Sequence, residues 1–227
     1  MNTILCIGAH PDDMEYTCTG TLTKLKKQAA ENRIYYVIVT NGENGYKLGP
    51  KTTVQQRVRM RKQEQLEVAR KLGVEKTFFW GYRDGFLQYT EKLRGQLVKI
   101  IKTLKPEIIF TFDPANQSFG HLNRSHRDHR IVGEAVFDAC FAAKNLWMYP
   151  GKPHRIQKLY FFATDNPNHI EDITEVMDFK LELLSCHRSQ FPDFTKVAEH
   201  VRNDLSTHSD KFKYSEAFRV VEVPQPV

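Results

Sequence analysis

The chain has 227 residues, 41% of them hydrophobic, a formal net charge of +6 and a mean hydropathy of −0.51. That size suits one α/β domain over 1–227, and no stretch approaches the ~20 apolar residues that a membrane span requires. The 33 basic residues are interleaved with 27 acids, and no zinc finger or RNA-binding aromatic signature accompanies them, so the charge reads as solvated surface rather than a nucleic-acid site.

The first strand-like run, Ile4–Ile7, begins without the basic region and cleavage site of a signal peptide. The four cysteines, Cys6, Cys18, Cys140 and Cys186, are scattered with no C-x-x-C pair. Reduced, mostly buried thiols in a cytoplasmic protein are therefore expected.

Strand and helix signals alternate from there. Ile34–Thr40, Thr77–Trp80 and Ile108–Phe112 are short β-rich runs, and helical periodicity covers Thr19–Glu31, Val54–Leu72 and Lys92–Leu104. Gly73 and Pro106 are apt terminators of the second and third helices. A further helix runs from about His126 to Lys144, with Ser125 or Asn123 available to cap it. Beyond Asn145 the pattern loosens to a strand at Ile156–Thr164, a polar loop through Asn166-Pro167-Asn168, a helix from about Thr174 to His187, and a late strand at Phe218–Val223, placed at a sheet edge. This alternation predicts a Rossmann-like, mainly parallel sheet with helices on both faces.

The loops after the first four strands, 8–15, 41–53, 81–85 and 113–125, then open on one rim, where such sheets bind ligands. Two of them carry dense chemistry. His10, Asp12 and Asp13 follow the first strand, with Pro11 stiffening the turn. His126, Asp128 and His129 follow the fourth, with the two histidines three apart on one helix face. Any one of these residues alone is an ordinary cap or turn former. Together, two clusters totalling three His and three Asp at adjacent strand ends point to a metal, and two His plus one Asp suffice for a zinc site with an open position. A phosphate-binding turn is excluded, because "GAHPDD" lacks the later glycines of the dinucleotide fingerprint and places acids where phosphate would lie.

With these residues in view, "AHPDDME" at 9–15 and "HRDH" at 126–129 resemble the A-H-P-D-D-x-E and H-x-D-H motifs of the PIG-L/LmbE zinc-dependent de-N-acetylases. Supporting similarities are "RKQEQLEVARKLGV" (61–74), "GYRDG" (81–85) and "DIT…K…HRSQ" (172–190). The resemblance implies an LmbE-like fold with zinc, or another divalent metal such as iron, held by His10, Asp13 and His129. It also implies Asp12 as general base, His126 stabilising the oxyanion, and Asp128 orienting an imidazole. Glu15 suits a supporting or helix-start role better than a ligand's. His121 is near the second motif and is given no role.

Arg61 falls within the apolar stripe of its helix, with Val54, Val58, Val68 and Leu72, and Glu64 lies within pairing reach. By resemblance Arg61 is expected to contact substrate, and Asp84 to bind sugar hydroxyls, although Asp84 also reads as a plain turn residue before Gly85. Lys180 suits a snorkelling role, and His187 reads either as a buried structural residue or as a pocket wall. The resemblance implies removal of an acetyl group from an N-acetylglucosamine-type sugar or glycoconjugate, a small-molecule amino-sugar partner, and a homo-oligomer such as a trimer or hexamer. Alternatives are deacetylation of a glucosaminyl-malate-like thiol precursor, or a non-catalytic sugar- or nucleotide-binding module.

Overall fold

Three strands buried along nearly their whole length make the centre of the sheet: β1 (Thr3–Gly8), β2 (Arg33–Thr40) and β4 (Ile108–Phe112). The structure is a computed structural model and describes all residues except 46, 48, 50, 117–124 and 225–227. With β3 (Lys76–Tyr82) and β5 (Lys158–Phe162), these strands pair in parallel. Burial on both faces explains their unbroken apolar character. β6 (His169–Asp172) and β7 (Ser215–Glu222) complete a seven-stranded sheet ordered β3-β2-β1-β4-β5-β7-β6. β7 is antiparallel to both β5 and β6.

The helices are α1 (Asp13–Thr17), α2 (Thr19–Gln28), α3 (Val54–Leu72), α4 (Glu91–Leu104), α5 (Arg127–Ala143), α6 (Met177–Leu184) and α7 (Phe194–Leu205). α4 packs on α5, while α6 packs on α1, α2 and α3, forming the two helical layers. Local signals fix the boundaries. Thr53 and Gln56 form a reciprocal capping box at the start of α3, and Gly73 ends it in the left-handed region at φ 74°. Thr90 caps α4, which closes on Lys105, also left-handed, just before Pro106.

Several expectations are corrected. The late strand is not at the edge: β7 lies between β5 and β6, and β6 forms the margin. A separate five-residue helix, α1, precedes α2, and α7 joins a second apolar cluster with Ile173, Val176, Leu181, Leu184 and Phe191. The cap of α5 is His126 itself; its imidazole Nδ1 accepts the Asp128 backbone N–H at 3.2 Å. Asn123 and His121 lie outside the described residues.

All four cysteines are free, three of them buried. Among the described residues, no helix is long and apolar enough to cross a membrane.

β2 and β4 flank β1 on opposite sides. The chain therefore reverses its direction of sheet growth at β1, and a crevice opens above the carboxyl ends of β1 and β4. Both histidine clusters sit there.

Candidate metal centre

The turn after β1 is drawn tight by the Asp13 carboxylate, whose Oδ2 accepts the His10 backbone N–H at 2.7 Å. That bond turns Asp13 Oδ1 toward two imidazoles: His10 Nδ1 at 3.7 Å and His129 Nε2 at 3.4 Å. His10 Nδ1 and His129 Nε2 are themselves 3.2 Å apart. Tetrahedral zinc with N and O ligands at ~2.0–2.1 Å keeps neighbouring donor atoms about 3.3–3.4 Å apart. The 3.2, 3.4 and 3.7 Å edges of this triangle fit such an ion. Burial alone would push the Asp13 carboxyl up; His129 and His10 beside it override that and hold it well below the usual carboxylate range.

His10 is oriented by its other nitrogen. Nε2 lies 3.2 Å from Asp84 Oδ1 and 3.3 Å from Asp128 Oδ2. These acids, with His10 and His126, form a second group with metal-ligating atoms in close reach. Backbone donors already engage it, however: Gly85 N–H and Leu87 N–H reach Asp128, and Asn44 N–H reaches Asp84. The two carboxylates therefore hold the His10 N–H and leave Nδ1 facing the donor triangle, an arrangement that fits a metal-ligating histidine. Asp84, only 5% exposed, accepts from Asn44 and meets His10, and it also lines the cavity where contact with sugar hydroxyls is expected.

His129 is oriented differently. Its Nδ1 has no hydrogen-bond partner among the described residues, and its ring stacks on Phe112 with centroids 3.9 Å apart and planes at 11°. Phe112 is the last residue of β4, so the strand end itself sets the plane of this imidazole.

Asp12 adopts φ 99°, ψ −19° at the N-cap of α1. A non-glycine residue there is strained and needs its surroundings to hold it, as is common at functional sites. Burial pushes the Asp12 carboxyl up, although Arg61 Nη2 lies 3.2 Å from Oδ2. A carboxylate made more basic and left off the donor triangle is suited to take a proton. Arg61, 1% exposed, also donates to the Pro11 and Gly42 carbonyls. Its guanidinium thus braces the turn and Asp12, and it also lines the cavity in which a substrate contact is expected.

His126 completes the inner wall. Its ring centroid lies 5.0 Å from that of His10 and 5.3 Å from that of His129. Because Nδ1 accepts from the α5 backbone, the neutral ring carries its proton on Nε2. Burial, and the His10 and His129 rings nearby, hold its pKa below the ordinary value, which favours that neutral donor.

These groups sit in a cavity of about 720 Å³. It runs outward past Tyr16 and Phe191, whose rings meet edge to face at 5.5 Å, to His200, Asp204 and His208. Sequence reasoning missed this outer wall, although Phe194, Val197, Val201 and Leu205 carry a helical apolar period. Glu15 and His187 are fully buried and bonded to each other at 3.0 Å. Lys180, equally buried, binds the Glu15 and Tyr16 carbonyls and Glu216 rather than snorkelling.

The chain is similar to several known deacetylases. A diacetylchitobiose deacetylase of Thermococcus kodakarensis is 30% identical over 96% of this chain and 82% of its own. A probable N-acetyl-α-D-glucosaminyl L-malate deacetylase of Bacillus anthracis is 29% identical over 86% and 84%. The solved N,N'-diacetylchitobiose deacetylase of Pyrococcus horikoshii superposes with a TM-score of 0.89 at 29% identity, covering 97% of this chain and 84% of that one. The PIG-L family model, described as GlcNAc-PI de-N-acetylase, matches residues 5–140, a span that contains the whole donor triangle, Asp12 and His126. With this match over more than half its length, the chain belongs to the PIG-L family.

Proposed function

We propose that the protein is a zinc-dependent hydrolase that removes the acetyl group from an N-acetylglucosamine-type sugar carrying a further substituent. The observation that carries the reading is the donor triangle of His10 Nδ1, Asp13 Oδ1 and His129 Nε2 with Asp12 beside it. Zinc bound there would supply a Lewis acid and lower the pKa of a coordinated water to ~7. Asp12 accepts the proton that the attacking water sheds, and its basicity is raised by burial. The His126 Nε2–H donates to the oxyanion as the amide carbonyl becomes tetrahedral. Arg61 holds Asp12 in place, and Asp84 with Asp128 keeps the His10 ring turned.

The cavity volume lies within the ~300–1,000 Å³ of small-molecule sites, and its lining reaches α7, well beyond the donors. That extension supports a substrate longer than one sugar ring. The charged lining of the outer part is mixed, with Lys47 and Asp204, which favours a neutral second sugar over a dianionic malate.

The test measures acetate release by zinc-loaded protein from N-acetylglucosamine, N,N'-diacetylchitobiose and the malate glycoside, with zinc content measured in parallel. The disaccharide is expected to be preferred. Asp12→Ala should retain zinc and lose ~10²–10⁴ in kcat. Sugar binding without acetate release from any of the three would overturn the reading in favour of a binding module.

A further inference from the structure

One turn of α3 places three buried polar side chains, Arg61, Glu64 and Gln65, under the active-site crevice. Arg61 reaches Asp12, and Glu64 receives the Ser189 backbone N–H and hydroxyl. Gln65, wholly buried, lies within the 61–74 similarity but carries none of the roles that the resemblance implies. Its Oε1 accepts the Asp12 backbone N–H at 3.1 Å, and its Nε2 donates to Glu15 Oε1 at 3.2 Å. Glu15 Oε2 in turn meets His187 Nε2 at 3.0 Å. All three members of the chain, Gln65, Glu15 and His187, are 0% exposed.

The polarity of this chain is determined by its chemistry. A carboxylate only accepts, so the amide nitrogen of Gln65 must face Glu15 and its oxygen must face Asp12. A side-chain acceptor is therefore held rigidly at the one backbone N–H of the residue with φ 99°. Strained backbone persists only where its surroundings over-determine it, and this bond supplies that determination from outside the turn.

We infer that Gln65, anchored through Glu15 to His187, is a positioning residue that locks the left-handed backbone of Asp12 and so aims its carboxylate. The inference rests on Asp12 being the general base. The Gln65 side chain bonds to the Asp12 backbone and Glu15 and is not part of the cavity lining, so its loss should alter turnover and leave ligand binding alone.

The test compares Gln65→Met, which keeps the volume and loses both hydrogen bonds, with the wild type as zinc-loaded full-length protein. Expected are unchanged zinc content, KM within about twofold, and kcat lower by ~10–100-fold, the scale of a misplaced catalytic group. In an Asp12→Ala background the same substitution should change the residual rate by less than about twofold, a result that general loosening of the fold would not give. Gln65→Asn, one methylene too short to span both partners, is the second variant and should behave alike. Wild-type kcat at normal zinc content in either variant, or an equal loss in both backgrounds, overturns the inference. Failure of both variants to fold also overturns it, by making Gln65 a core residue. If the wild type itself releases no acetate, the proposed function fails and this inference fails with it; an active wild type with an indifferent Gln65 rejects this inference alone.

Discussion

Replacing Gly133 with alanine should damage the proposed metal centre without touching it. Gly133 lies in α5, and a Cβ there would stand 2.7 Å from the Phe112 carbonyl oxygen, 3.3 Å from its carbon and 3.3 Å from Pro114 N. All three are backbone atoms and cannot swing aside. Ordinary contact begins at 3.4 Å, so helix and strand end must part locally by about 0.7 Å. His129 lies one turn away on the same helix, and Phe112 is the residue on which its ring rests. The displacement therefore moves the His129 donor relative to His10 and Asp13, which are carried by the β1 turn. Metal sites tolerate only about ±0.2 Å in ligand distances. We expect zinc affinity to fall at least ~10-fold, read by competition with a chromophoric chelator. Overpacking should cost ~1–3 kcal/mol, or roughly 3–10 °C in the Tm of metal-stripped protein at this chain length. Gly95→Ala in α4 is the control: its nearest neighbour is Tyr149 Cε1 at 3.5 Å, and it should stabilise by ~0.5–1 kcal/mol. Wild-type zinc affinity in Gly133→Ala would refute the claim that this close approach sets the geometry of the centre.

Arg61→Ala should lower kcat by ~10² on short and extended substrates alike, because it releases Asp12 and the Pro11 and Gly42 carbonyls; a loss confined to extended substrates would return Arg61 to substrate contact. Arg219→Ala strips the buried Asp113 carboxylate of a paired guanidinium, Nε to Oδ2 at 2.8 Å, and should cost ~2–3 kcal/mol at neutral pH by thermal or urea unfolding. Burial would raise the Asp113 pKa, but Arg219 and the Thr164 hydroxyl hold it below the usual value. The pair therefore stabilises fully above the unfolded carboxylate pKa of ~3.9, and its contribution fades as pH falls through the lower folded value. The gap between wild type and variant should accordingly narrow below about pH 4; a constant gap down to pH 3 would show that Arg219 acts through packing alone.

The central strands and the reactive residues were legible for related reasons. β1, β2 and β4 are buried on both faces, so their composition alone marks them, and the polar groups at their ends interrupt that composition abruptly. His10 to Asp13 and His126 to His129 are each local in sequence, and neighbourhood in the chain stands in for neighbourhood in space. The supporting residues have no such shortcut. Gln65 serves Asp12 across 53 positions and His187 serves Glu15 across 172, and nothing in a helical apolar stripe says which polar member will bond to a distant turn. Arg61 illustrates the limit: its place in the stripe was readable, but its contacts with Asp12 and with the Pro11 and Gly42 carbonyls were not. β6 escaped notice because four half-buried residues beside a polar loop carry no alternation. α7 did have the period, and its role as a cavity wall depends on how residues 191–217 fold back over the crevice.

The cavity draws its inner end from residues within 5–140 and its outer end largely from 163–217. The donor triangle and most of the outer lining are thus written in different parts of the polypeptide. Substitutions in the later part are expected to reshape the outer cavity while leaving the donor triangle in place. For an engineer, the same partition marks 191–208 as the stretch to recombine.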